Sequence, residues 1–301
     1  MTPSSLRKIN DASAAGPMPP VASAASAASA ASVVDEHAPA MPLGAGSGGA
    51  VRPQRPRSLS CVIPCHNEAH NLAQLLPLLA SVLAACAQRW EVIVVDDGST
   101  DATALLLHTW SQRPGFRSLQ LSRNFGKEAA LSAGLDVAGG DVVVLMDADM
   151  QHPPALITRF IESWAAGADM VYAQRQNRHG EGLFKRLGTH WFYALVNSST
   201  RLQIPAGAGD FRLMDRSVVQ ALLQLPERNR FMKGLYAWVG FDAVAVPYTP
   251  AARAHGRSHF SPRRLVHLSL DGITAFTTWP LRAVRCLASG WRCCRLRMAA
   301  F

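Results

Sequence analysis

The chain has 301 residues, a net charge of +9 and six cysteines. The cysteines form no paired CxxC array with zinc spacing, which excludes a zinc module of the usual kind and points to free thiols in a reducing compartment. A basic balance with no nucleic-acid-binding module in the sequence argues against a nucleic acid partner and leaves a membrane surface as the anionic partner.

Residues 1–57 are dominated by Ala, Pro, Ser and Gly and include the repeat ASAASAASAAS at Ala22–Ser32. So few large apolar groups cannot offset the entropy of ordering, and the segment reads as a disordered tail. No Leu-rich core follows Arg7 and Lys8, as a secretory signal would require.

From Leu59 the pattern alternates. Leu59–Ile63 reads as a strand, Ala69–Gln88 as a helix, Glu91–Val95 as a strand, and Ala102–Trp110 as a helix with Asp101 at its start. Ser118–Leu121, Asp141–Met146 and Asp169–Ala173 read as strands, separated by helices over Glu128–Val137 and Pro154–Ala166. Asn71–Gln88 carries no charge for 18 residues, but Leu72, Leu75, Leu76, Leu79, Leu83 and Cys86 recur at helical spacing, as in an amphipathic helix packed on a core. This β-α-β-α order predicts an α/β fold with a mostly parallel, doubly wound sheet.

Beyond Arg175 the pattern loosens. Helices are expected over Phe184–Thr200, Arg216–Leu225, Arg230–Val239 and Arg263–Phe276. Ser261 and Pro262 suit the start of the last one, and its broad apolar face with Arg263, Arg264 and His267 at one end suits a membrane interface. After Asp271 there is no acidic residue, while Arg282, Arg285, Arg292, Arg295 and Arg297 follow.

Acidic groups end two strong strands: Asp96 and Asp97 on one, Asp147 and Asp149 on the other. The second pair closes the run VVVLMDADMQHPP (Val142–Pro154). Carboxylates at the C-terminal tips of parallel strands lie where open α/β sheets bind ligands. Hard oxygen ligands there suit Mg²⁺ or Mn²⁺ shared with a substrate phosphate.

The motifs VIPCHNE (Val62–Glu68), VVDDGSTD (Val94–Asp101), SRNFGKEAAL (Ser122–Leu131) and MDADMQHPP (Met146–Pro154) occur in that order. Together they resemble the inverting glycosyltransferases of family 2, which have the GT-A fold. GDFRLMDR (Gly209–Arg216), ERNRFMKGL (Glu227–Leu235) and RxxGxS (Arg253–Ser258) extend the resemblance to the polyprenyl-phosphate branch, over roughly Ser60 to Arg282.

The resemblance implies a glycosyltransferase domain over 58–255 and an amphipathic interfacial region over 256–282; residues 283–301 form an atypical basic tail where the branch has transmembrane helices. It implies a nucleotide-sugar donor and a polyprenyl phosphate acceptor, with work at the cytoplasmic face of a membrane; a homo-oligomer is compatible with it, and the arginine-rich segment after Leu281 predicts peripheral attachment in this form. By resemblance, Asp147 and Asp149 form the metal-binding pair with Gln151 as a third polar contact. Pro64, Glu68 and Asp97 face the nucleoside, and Asn124, Gly126 and Lys127 lie near the donor. Asp149 and Asp210 carry the catalytic role, Arg212 belongs to the segment that closes the site, and Arg175, Lys185, Thr189, Arg212, Arg230, Lys233 and Ser258 serve the acceptor phosphate.

The sequence departs from that branch at two places. His259 stands where the branch often has Lys. The segment after Leu281 carries five arginines instead of membrane helices, which predicts a truncation or a change of reading frame there. Two other readings are carried: a haloacid-dehalogenase-type phosphatase, which Gln151 disfavours, and a catalytically impaired lipid-phosphate-binding remnant.

Overall fold

The computed structural model describes residues 6–9, 52–176, 208–227 and 230–249. Its strands are β1 (Leu6–Ile9), β2 (Ser58–Cys65), β3 (Arg89–Asp96), β4 (Phe116–Leu121), β5 (Val142–Leu145), β6 (Met170–Arg175), β7 (Ala208–Asp215) and β8 (Ala243–Tyr248). Its helices are α1 (Ala69–Cys86), α2 (Thr103–Trp110), α3 (Lys127–Val137), α4 (Leu156–Ala165), α5 (Arg216–Leu223) and α6 (Met232–Trp238).

The eight strands of the described residues form one sheet in the order β1-β4-β3-β2-β5-β7-β6-β8. β2, β3, β4 and β5 are parallel neighbours, and β6 pairs in parallel with β8. β7 runs antiparallel to both β5 and β6. The chain steps outward from β2 through β3 to β4, then returns to the other side of β2 as β5. That reversal is the topological switch point, and ligand crevices in such sheets open at the strand tips beside it.

The apolar strands are buried on both faces, as a central parallel sheet requires. Leu59, Cys61, Ile63, Val92, Val94, Val142 and Val144 pack on one side with α1 and α4. Val62, Ile93, Val95, Val143 and Leu145 pack on the other with α3, α5 and α6. Gly134 lets α3 settle onto the sheet, since a Cβ there would lie 2.3 Å from Val62 Cγ1. α1 is long and apolar enough to cross a membrane by length and composition. Here Leu72, Leu75, Leu76, Leu79 and Leu83 are buried in the core.

Three strands were not legible. β7 lies inside the GDFRLMDR motif, where Asp210 and Arg212 break the apolar signal. β8 is an edge strand containing Pro247. β1 falls within the expected tail yet pairs antiparallel with β4, Leu6 opposite Leu121 and Ile9 opposite Leu119. Residues 52–57 also belong to the described fold: Arg52 donates to the Asp169 carboxylate at 2.7 Å and to Trp164 O. The expected helices at Phe184–Thr200 and Arg263–Phe276 and the 283–301 segment lie outside the described residues. Cys61, Cys65 and Cys86 are free and buried.

Candidate active site

The site grows from the tips of β2, β3 and β5. Pro64 is buried at the end of β2, opposite Val95. Its missing N–H is tolerated because the β5 ladder ends at Val62–Leu145. Glu68, half-buried, accepts from Asn71 Nδ2 at 2.6 Å, and its own N–H donates to Thr103 Oγ1. Between them Asn67 adopts φ +57, and its Oδ1 accepts from Thr100 N at 2.8 Å, tying the β2 tip to the turn after β3.

Asp97 is turned inward. Its Oδ1 accepts from Phe125 N at 2.7 Å and its Oδ2 from Gly126 N at 2.8 Å, with only 4% of the residue exposed. Both carboxylate oxygens therefore hold the RNFGK loop, and Asp97 positions that loop where the resemblance implied nucleoside contact. Gly126 has φ +99, a backbone that side-chain-bearing residues rarely adopt. It launches α3 with Lys127 as first residue, while Asn124 is exposed on the loop.

At the β5 tip Asp147 and Asp149 are half-buried. Met150 takes φ +61, a costly conformation for a residue with a side chain, of the kind that collects at functional sites. Gln151 N donates to Asp149 Oδ1 at 3.2 Å, which steadies that carboxylate. Two carboxylates and an amide are hard oxygen donors suited to Mg²⁺ or Mn²⁺. Among the described residues no group of three or more His, Cys, Asp or Glu side chains encloses an ion position. A divalent cation at this tip would thus take its remaining ligands from substrate phosphate and water.

Lys127 links the β5 tip to β7. Its Nζ lies 2.6 Å from Asp147 Oδ1 and 2.7 Å from Asp210 Oδ2. Register explains the meeting: β5 and β7 pair Leu145 with Arg212, so the next residues of each strand converge beyond the ladder. Burial works against the Lys127 charge, but the two carboxylates outweigh it and hold the ammonium firmly protonated. Burial would raise Asp210, yet Lys127, Lys233 and Arg212 hold its carboxyl well below the usual range.

Beneath this bridge lies a second layer of charge. Arg212 is 3% exposed, with its guanidinium 3.4 Å from the Tyr236 ring centroid and Nη2 donating to Gly209 O at 2.7 Å. It faces the core under the site and not an open acceptor surface, because Asp210, Arg212 and Met214 share the α3 and α6 side of β7. Burial, reinforced by the nearby Asp210 charge, pushes the Glu128 carboxyl up to about 7. His152 is buried against Phe211 and Tyr248, and burial pushes its pKa down. Asp210 Oδ1, Arg212 Nε, His152 Nδ1 and Tyr236 OH are buried without a hydrogen-bond partner among the described residues. Of these, Asp210 Oδ1 belongs to the carboxylate that Lys127 bridges, whereas His152 packs on the opposite face of the sheet from Arg212 and Tyr236.

The remaining expectations divide. Arg175 ends β6 at the same sheet edge, and it acts electrostatically on Tyr248 together with Asp147 and Asp149. Lys233, on α6, acts on Asp210 and Glu128. Arg230 instead donates to Leu225 O and Ser132 Oγ, joining the α5–α6 connection to α3. Lys185, Thr189 and Ser258 lie outside the described residues. Glu128, His152 and Tyr236 went unassigned from sequence. The first two stand inside the quoted motifs, which is the signal that could have found them; Tyr236 offers none.

The description "Glycosyl transferase family 2" matches residues 60–223. An uncharacterized glycosyltransferase of Synechocystis sp. is 44% identical over 232 residues, 77% of this chain and 73% of that protein. The bactoprenol glucosyl transferase of Shigella phage SfV is 42% identical over 225 residues, 74% of this chain and 73% of that protein. Among solved structures, glucosyl-3-phosphoglycerate synthase of M. tuberculosis superposes with a TM-score of 0.51 at 21% identity, over 72% of this chain and 78% of that one. That likeness speaks for the GT-A fold. A phosphatase of the haloacid-dehalogenase type is set aside by the family match, and the impaired remnant is not favoured by relatives of this similarity. The sheet, the switch-point site and the match across more than half its length make this chain a member of glycosyl transferase family 2.

Proposed function

We propose that the chain transfers one hexosyl or pentosyl group from a UDP- or GDP-linked sugar to a polyprenyl phosphate, with inversion at the anomeric carbon. The carrying observation is the meeting of Asp147, Lys127 and Asp210 within 2.7 Å contacts at the sheet's switch point, with Asp149 two residues on. The acceptor class is supported by the 42% identity to a bactoprenol glucosyl transferase.

A polyprenyl phosphate has its second ionisation near pH ~6, so an anionic oxygen is already present at neutral pH. That oxygen would bond to the anomeric carbon while the bond from that carbon to the diphosphate breaks. A strong general base is not needed. This agrees with Asp210, whose depressed pKa makes it a poor proton acceptor while Lys127 rests on it. Asp210 then orients Lys127 and the reacting groups. Asp147, Asp149 and Gln151 would hold Mg²⁺ or Mn²⁺, which when bound offsets charge on the leaving diphosphate. Lys127, Lys233 and Arg175 supply cationic charge where two anionic substrates must approach. We propose that the protein works at the cytoplasmic face of a membrane, since its acceptor is a lipid and residues 282–301 are rich in arginine.

The test is transfer of radiolabel from UDP- or GDP-sugars to undecaprenyl phosphate in detergent micelles by the purified full chain. Label entering the lipid phase with Mn²⁺ and lost with EDTA is the expected result. Release of free sugar alone, with no labelled lipid, would overturn the acceptor assignment.

A further inference from the structure

Lys127 is 40% exposed at its side chain, yet it is held at both its backbone and its ammonium. The Asp97 carboxylate grips the two residues before it through Phe125 N and Gly126 N, at 2.7 and 2.8 Å. Its ammonium then touches two carboxylates, one of them the first aspartate of the pair read as the cation site. An ammonium 2.6 Å from Asp147 Oδ1 and a divalent cation on the same carboxylate would repel strongly in a partly buried site. The second carboxylate offers a way out, because Lys127 can keep Asp210 while releasing Asp147. A nucleoside diphosphate entering at the strand tips offers the released ammonium a new anionic partner.

We propose that Lys127 is a resident counter-cation that occupies Asp147 in the free protein and yields it only when a nucleoside diphosphate arrives, so that divalent-cation binding and nucleotide binding are coupled through this one side chain. The proposal rests on the reading of Asp147 and Asp149 as the cation site. Its consequence is that the free protein binds the cation weakly. Cation and nucleotide strengthen each other by more than direct metal–phosphate contact supplies, and the strengthening is reciprocal. Lys127 is here a positioning residue, acting through Asp147.

The measurement is Mn²⁺ binding by electron paramagnetic resonance, on the full chain without nucleotide and then with saturating UDP, and in a separate series GDP. Lys127→Met and Lys127→Gln should bind Mn²⁺ alone at least about tenfold more tightly than the wild type, because Asp147 is no longer occupied. Lys127→Arg should match the wild type. The nucleotide should tighten Mn²⁺ binding by a larger factor in the wild type than in Lys127→Met. Equal or weaker Mn²⁺ binding by both neutral variants, with their circular dichroism unchanged, overturns the proposal while leaving the cation site standing. Equal tightening by nucleotide in wild type and Lys127→Met overturns it as well. Absence of Mn²⁺ binding from all forms, with and without nucleotide, defeats the cation site itself and this proposal with it.

Discussion

Asp97 spends both carboxylate oxygens on backbone N–H groups of the loop that carries Lys127. Hydrogen bonds to a charged group contribute about 1.5–3 kcal/mol each, and a buried N–H left unpaired carries its own cost. Asp97→Ala is therefore expected to destabilise the fold by roughly 2–4 kcal/mol in denaturant unfolding; a loss under 1 kcal/mol would show that the loop does not depend on it. Glu128 gives a pH signature. Its folded pKa of about 7 lies above the ordinary 4.5, so between these values the folded protein holds a proton that the unfolded chain has lost. Its contribution to stability falls as pH rises through that window. Glu128→Gln should unfold like the wild type near pH 4.5 and gain on it progressively up to pH 7, and a difference independent of pH would contradict this origin. Asp147 and Asp149 were legible because an apolar strand ends at them. Glu128 was not, because a charged residue beside Lys127 at a helix start reads as solvated. What covers it is Met232, whose N–H reaches its Oε2 from 104 residues away.

At the scale of elements, α3 is fixed against β2 by the absence of a side chain at Gly134. A Cβ there would lie 2.3 Å from Val62 Cγ1 and 3.1 Å from Val95 Cγ2, both stiff β-branched side chains on a central sheet. Overpacking of this kind costs about 1–3 kcal/mol, against about 1 kcal/mol gained in helix propensity. Gly134→Ala is thus expected to lower stability by up to about 2 kcal/mol, with part of the loss recovered in a Val62→Ala background. A stabilising Gly134→Ala would contradict the close approach. The parallel strands were readable from continuous apolar runs, which two-sided burial demands. β7 was hidden by the chemistry it delivers. Asp210 and Arg212 interrupt its apolar pattern because one face of that strand meets the site's charges, with Arg212 stacked on Tyr236.

For the molecule as a whole, the alternation of strand and helix patterns predicted a mostly parallel, doubly wound sheet with acidic groups at its strand tips, while the order of strands around β2 came only with the structure. The sequence could not reveal that Lys127 would stand between Asp147 and Asp210, since sheet register brings the two aspartates together and the packing of α3 on the sheet brings the lysine. The central claim is that this junction transfers sugar to lipid phosphate. Its most direct measurement is the initial rate of sugar transfer from a nucleotide sugar to undecaprenyl phosphate by wild type, Asp149→Ala and Asp210→Ala proteins of matched folding. Lipid-linked product from the wild type, and a rate at least about a hundredfold lower for each variant, is the predicted result, the scale on which removal of one electrostatic group at a reacting centre is felt; unchanged turnover in both variants would contradict it.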